Sequence, residues 1–258
     1  MKFCSFLTVS LTGLIAPMAM AQESPEVKAV IGPVEVAEAK IWTVSDWSEW
    51  KLQETAPEGK MAVLPEVKDA LPGKVAQDLS EEAKKAGVLL LGPSELLSVV
   101  KYEGGGPLLV NDYEVMWEGM RMEGSDFFAA LTFPVGSEEQ CATFVTGGWG
   151  GWVTGVSCLQ GLYANENEST GSTEFKNGRW YAFTLQVNKD CLRALIDGEE
   201  IFNVSLAGKK ISMYPGDIQK ATPLGFASYS TKGAIRNVRI RPLKPGELKA
   251  PDGGGGAD

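Results

Sequence analysis

The stretch CATFVTGGWGGWVTGVSC, Cys141 to Cys158, most narrows what this chain can fold into. Two β-prone runs, Ala142 to Thr146 and Trp152 to Val156, flank Gly147-Gly148-Trp149-Gly150-Gly151. The glycine-rich centre tolerates the positive φ angles of a tight turn, so the stretch predicts a β-hairpin. A turn centred on Trp149-Gly150 sets Cys141 opposite Cys158. Directly opposed Cβ atoms on antiparallel strands lie roughly 4.5–5.5 Å apart, near disulfide range. The chain has four cysteines, and the fourth, Cys4, stands in its leader. Two outcomes stay open for the others: a Cys141–Cys158 bridge with Cys191 free, or three buried thiols. Trp149 and Trp152 stand at or beside the tip. An indole there either packs over the sheet edge or meets a flat, apolar-faced ligand.

The rest of the sequence reads as more short strands. Trp42, Trp47 and Trp50 suggest a first strand with an aromatic anchor. Val88–Leu91, Leu96–Tyr102 and Leu108–Val110 are apolar runs broken by Gly104-Gly105-Gly106-Pro107. Tyr113, Val115 and Trp117 alternate with Glu114, Met116 and Glu118, the period-two pattern of a half-buried strand. Phe127–Phe133 follows, closed by Pro134. In Phe175–Val187 the residues Tyr181, Phe183, Leu185 and Val187 fall on one face. Leu192–Ile196 and Ile201–Val204 meet at Asp197-Gly198, the strongest short hairpin signal. Leu224–Tyr229 and Ile235–Ile240 end the series. Arg236 has the parity of the core residues Val238 and Ile240, which predicts a bulge or a paired arginine. Only DLSEEAKKAG, from Asp78 to Gly87, has the cap, charges and glycine stop of a short surface helix. Eleven or more strands with turns every 8–12 residues predict an all-β sandwich. No internal repeat, phosphate loop or dinucleotide fingerprint is present.

The termini set the compartment and the domain limits. MKFCSFLTVSLTGLIAPMAMA has one early Lys, an apolar run too short to cross a bilayer, and a small-x-small site ending at Ala21. Residues 1–21 are expected to be a secretory signal peptide, giving a periplasmic or secreted protein without membrane insertion. Residues 22–39 read as a flexible segment, 40–244 as the sandwich domain, and 245–258, ending GGGGAD, as a disordered tail. The net charge of −9 argues against nucleic acid and anionic membranes as partners. The sequence contains no histidine. A Ser-His-Asp triad, a Cys-His pair and a His-ligated metal are therefore excluded. Chemistry, if present, falls to carboxylates, Lys, Tyr, Arg or a metal bound by oxygen.

Several stretches are similar to known proteins. NGRWYAFTLQV followed by ALIDGEEIFNV resembles the late strand pair of concanavalin-A-like lectin/glucanase jelly rolls, laminin-G-like domains included. NDYEVMWEGMRMEGSDFFAALTFPVG, GGWGGWVTGVSCLQG, the NENEST loop and PLGFASYSTKGAIRNVRIRPL resemble one branch, the 3-keto-disaccharide hydrolase domain family. That family is common in exported proteins of planctomycete-type bacteria. The resemblance covers Asp112 to Leu243 and implies a jelly-roll fold and a carbohydrate partner. It also implies elimination chemistry on a sugar oxidised at C3: a base takes the C2 proton, the bond at C1 leaves, and water adds. Such chemistry needs a base and a stabiliser for the enolate. Non-catalytic carbohydrate binders share the superfamily, so a binding or cell-surface module is the alternative.

The candidate catalytic residues are Asp126, Glu118, Arg121 and Glu166: carboxylates for the base and a guanidinium for the oxyanion. Each also has an ordinary structural reading, as a turn cap, a solvated strand residue or an ion-pair partner. Trp149 and Trp152 are candidates for stacking on a pyranose, with Asn165 and Asn167 for its hydroxyls. Glu166 and Glu168, in the oxygen-rich loop 165–171, are the candidate ligands for Ca²⁺, the one metal the residues suggest. The GGWGGW tip and this loop are expected to frame one site.

Overall fold

Period-two apolar residues become buried strand faces in the computed structural model, which describes residues 42–43, 46–64, 87–105 and 108–251. In chain order the strands are β1 (Trp42–Thr43), β2 (Trp50–Leu52), β3 (Met61–Leu64), β4 (Val88–Leu91) and β5 (Leu97–Tyr102). Next come β6 (Tyr113–Glu123), β7 (Ala130–Val135), β8 (Ser137–Gly147), β9 (Val153–Ser157) and β10 (Gly171–Ser172). The last five are β11 (Trp180–Val187), β12 (Cys191–Ile196), β13 (Glu199–Ser205), β14 (Gly225–Tyr229) and β15 (Lys232–Pro242). They form two antiparallel sheets packed as a jelly-roll sandwich. One runs β13-β12-β11-β6-β15-β4-β3, with β1 also pairing β15. The other runs β10-β9-β8-β7-β14-β5-β2.

The core sits between the sheets and is aromatic at its centre. Tyr113, Val115 and Trp117 of β6 and Tyr181, Phe183, Leu185 and Val187 of β11 are all buried. Trp117 stacks on Phe183 at 5.2 Å within its own sheet and meets Phe144 and Phe226 of the opposite sheet, each at 5.9 Å. Pairs of this kind add about 0.5–1.5 kcal/mol beyond the area they bury. The Trp117 indole N–H donates to the Ala129 carbonyl, so its one polar atom is satisfied inside the core. Trp47 and Trp50 are buried as expected of an aromatic anchor.

Both hairpins read from the sequence form. Asp197 and Gly198 take φ angles of 52° and 84° between β12 and β13, the doubly left-handed turn that an Asp-Gly pair favours. The ladder from β6 to β15 slips between Arg236 and Arg239. There the Arg236 guanidinium lies 2.6 Å from Glu118, so the bulge and the pairing occur together.

Other expectations need correction. Between β8 and β9 the register is Thr143 opposite Ser157 and Val145 opposite Gly155. Extended along the strands, that register sets Cys141 level with residue 159, one place past Cys158. A slip of one residue turns a side chain to the other face of its strand. The Cys141–Cys158 bridge is therefore absent, and Cys141, Cys158 and Cys191 are three buried free thiols. Leu108–Val110 is not a strand; Leu108 and Leu109 instead pack on the core from a loop. β7 begins only at Ala130, because Ala129 has φ 48° and interrupts the extended chain. The segment after Pro245 starts out packed, with Leu248 buried beside Cys191 and Leu243. The signal segment, residues 22–39, the helix expected from Asp78 and the end of the tail lie outside the described residues.

Candidate functional site

Alternation along β8 turns Phe144 into the core and Thr143 and Val145 outward. The long connection between β13 and β14 then crosses this outer face. Within it a 3-10 turn, Asp217–Ala221, buries Ile218 and Ala221 against Val99 and Ala227. The uncovered remainder of the face is a cleft of about 490 Å³.

Its walls are aromatic. Tyr163 and Tyr214 lie ring against ring at 4.7 Å, and Phe127 lies 5.8 Å from Tyr229. Trp149 enters from the β8–β9 tip and is 44% exposed. Three of the four glycines expected at that tip, Gly147, Gly150 and Gly151, take positive φ, and so does Trp149 itself, at φ 51° and ψ 51°. Two carboxylates, Asp126 and Asp217, are in the lining, and neither Lys nor Arg is among the described residues that form it.

Both acids are engaged by the protein. Asp126 Oδ1 accepts from the Phe127 N–H at 2.8 Å and its Oδ2 from the Gly150 N–H at 3.0 Å. Asp217 Oδ2 accepts from the Ala56 N–H at 3.1 Å, and its Oδ1 lies 3.0 Å from Lys220 Nζ. The Ala56 N–H first, and then Lys220, hold the Asp217 carboxyl below the usual carboxylate range. It is therefore an ionised acceptor at neutral pH and a poor proton donor.

The expected site residues divide. Asp126 and Trp149 line the cleft. Trp152 is 58% exposed and outside its lining. Glu118 belongs to the other sheet, where Arg236 Nε and Asn237 Nδ2 donate to its two oxygens. Arg121 ties the end of β6 to the 175–177 loop, with Nε donating to Asn177 Oδ1 at 2.7 Å and Nη2 to the Phe175 carbonyl. Burial lowers its pKa, with the charges of Tyr181 and Asp126 acting against that shift.

The NENEST loop holds itself together. Asn167 is buried and donates to the carbonyls of Val156, Leu162 and Tyr163, while its Oδ1 accepts from the Ser169 N–H and hydroxyl. Glu166 accepts from the Tyr163 N–H at 3.3 Å, Glu168 pairs with Lys209, and Asn165 is exposed. No group of three acidic or cysteine side chains able to hold a metal ion occurs among the described residues. Among the described lining residues none belongs to the 165–171 loop; Tyr163, just before it, does line the cleft.

The residues that sequence reasoning missed are Phe127, Tyr163, Tyr214, Asp217 and Tyr229. One usable signal existed: Tyr214-Pro215-Gly216-Asp217 lies in the long 206–224 connection, and connections of that length often carry function.

Fold and site thus define a jelly-roll sandwich with an aromatic, acid-bearing cleft on one outer face. No family model matches this sequence, and no curated protein does. Among solved structures, the chain is similar to the Crh5 transglycosylase in complex with NAG, at 8% identity and a TM-score of 0.49, over 79% of this chain and 83% of that one. It is similar to the carbohydrate-binding module CBM66 from Bacillus subtilis, at 10% identity and a TM-score of 0.40, over 75% and 95%. It is also similar to domain 4 of AbnA, a GH43 extracellular arabinanase from Geobacillus stearothermophilus, in complex with arabinotriose, at 14% and 0.38, over 74% and 86%. Likenesses this remote do not carry activity from those proteins to this one. Among the described residues no helix is long and apolar enough to cross a membrane.

Proposed function

We propose that this chain is an exported carbohydrate-active domain whose cleft binds a neutral saccharide. The observation that carries the reading is the lining itself: Trp149, Tyr163 and Tyr214 present rings beside the carboxylate acceptor of Asp217. Sugars offer apolar C–H faces to aromatic rings and hydroxyl donors to carboxylates, so the two halves of the lining match the two halves of a pyranose. The net charge of −9 and the lack of a basic residue among the described residues of the lining disfavour polyanionic glycans.

A second reading, a hydrolase or lyase acting on 3-keto glycosides, draws on one observation. Among the described residues no basic side chain is bonded to Asp126, so it is the acid of the cleft available to take a C2 proton. Binding is the reading the geometry supports better, because the Asp126 oxygens already accept two backbone N–H bonds. Protein purified from the periplasm or medium is expected to begin at Gln22 by intact-mass spectrometry. That protein, titrated with native and 3-oxidised disaccharides, is expected to bind without turnover. Release of monosaccharide from the 3-oxidised sugars, lost in Asp126→Asn, would establish the enzyme instead. No binding to any neutral sugar would sink both readings.

A further inference from the structure

The most exposed ring of the cleft, Trp149, stands on a glycine-rich turn. Four of the five residues from Gly147 to Gly151 lack a side chain. Ordering such residues costs more backbone entropy than ordering residues that carry a side chain. Trp149 adds to this, since the left-handed region is disfavoured for an L-residue. A bulky residue kept in that region at a ligand surface implies that something outside the turn holds it there.

The holding groups come from the 124–127 segment. Asp126 Oδ2 accepts the Gly150 N–H at 3.0 Å, the bond next in sequence to the indole. A carboxylate acceptor makes this stronger than a neutral hydrogen bond. On the next residue, a Cβ added to Gly151 would stand 2.7 Å from the Ser125 carbonyl oxygen, so the turn lies flush against the segment. The segment is itself anchored. The Asp126 N–H donates to Thr231 Oγ1 at 3.0 Å, and the Phe127 carbonyl accepts from the Tyr229 N–H at 3.1 Å. Phe127 and Tyr229 are also a wall of the cleft, so post and wall are one unit.

We infer that Asp126 is the positioning residue of this cleft: its carboxylate fixes the Trp149–Gly150 turn, and thereby sets saccharide affinity through the indole without being the group that the sugar needs. The inference rests on the carbohydrate reading above for its ligand. It does not require Asp126 for the fold, since the β8–β9 ladder below the turn is held by backbone pairing from Thr143–Ser157 to Thr146–Thr154.

The test uses the full-length secreted form carrying Trp152→Phe, so that Trp149 is the exposed indole of the hairpin. Acrylamide quenching and fluorescence anisotropy report the turn, and calorimetric titration with cellohexaose reports binding. Asp126→Ala is expected to raise quenching, lower anisotropy and weaken cellohexaose about tenfold or more, with the melting temperature within a few degrees. Asp126→Asn keeps one carbonyl oxygen for two N–H donors and is expected to fall between; it carries the test if the alanine variant does not fold. In a Trp149→Ala background, Asp126→Ala is expected to cost no further affinity. Unchanged quenching in Asp126→Ala overturns the inference. So does an equal loss of affinity with and without Trp149, which would make Asp126 a direct sugar contact. If the parent protein does not bind cellohexaose, the carbohydrate reading fails for that glycan, and quenching still decides whether Asp126 holds the indole.

Discussion

Trp149 occupies a backbone region that glycine enters at little cost and tryptophan does not. Trp149→Gly and Trp149→Ala both remove the indole, but only alanine keeps a Cβ in the left-handed turn. The glycine variant is expected to be the more stable by about 1 kcal/mol in urea denaturation, with sugar binding weakened equally in both. Equal stabilities would mean that the turn relaxes when the indole is removed. The cysteines give a second expectation. Burial first, and nearby acidic side chains second, push the Cys141 and Cys191 thiols up to about 11. Thiols with such values are neutral at pH 8 and react slowly. The folded mature protein should resist alkylation, and three thiols should titrate once it is denatured without reductant; a count of one would restore the bridge. The thiol pairing was only half legible in the sequence. The Gly-rich centre announces a turn, but a glycine segment does not say which two of its residues occupy the tip, and one residue of register decides whether the sulfurs meet.

At the scale of elements, the outer face of the eight-strand sheet is tied by ions. Arg241 Nε donates to Glu114, and its Nη2 lies 2.5 Å from Glu247 in the segment after β15. The Arg241 bond first, and the Lys244 N–H second, bring the Glu247 carboxyl down to about 2 from an ordinary 4.5. A depressed carboxylate stabilises the fold fully above its unfolded value and loses that contribution as pH falls through the folded one. Glu247→Gln should therefore match the parent in stability near pH 2 and fall below it above about pH 5, by a small amount because the pair is exposed. A constant difference across that range would rule out the pairing as its cause. Strands of this kind were readable where the signal is local: β11 from its alternation, and β12–β13 from Asp197-Gly198. The cleft was not. Trp149, Tyr163, Tyr214 and Asp126 lie far apart in sequence, and only the register of β8 and β9 and the path of the 206–224 connection bring them to one face. Glu118 and Arg121 look as eligible as Asp126 in sequence, and strand parity does not say which sheet a strand will join.

For the molecule as a whole, the fold class was legible because many short alternating runs admit few other solutions, while the sheet order was not. The two central strands of the eight-strand sheet, β6 and β15, are joined across most of the described chain, Tyr113–Glu123 pairing with Lys232–Pro242. That fact has a temporal side. A ribosome delivers β6 long before β15, so β6 and β4 wait with open edges, and the sheet closes only when the late strand arrives. Such non-local pairing folds on the order of milliseconds to seconds, and an open edge meanwhile invites other chains. A chain stopped after Tyr229 is expected to aggregate, and a peptide of residues 232–242 supplied during refolding to recover soluble protein, read by light scattering. A truncated chain that stays monomeric and folded would show that the gap at the sheet's centre can be closed from within.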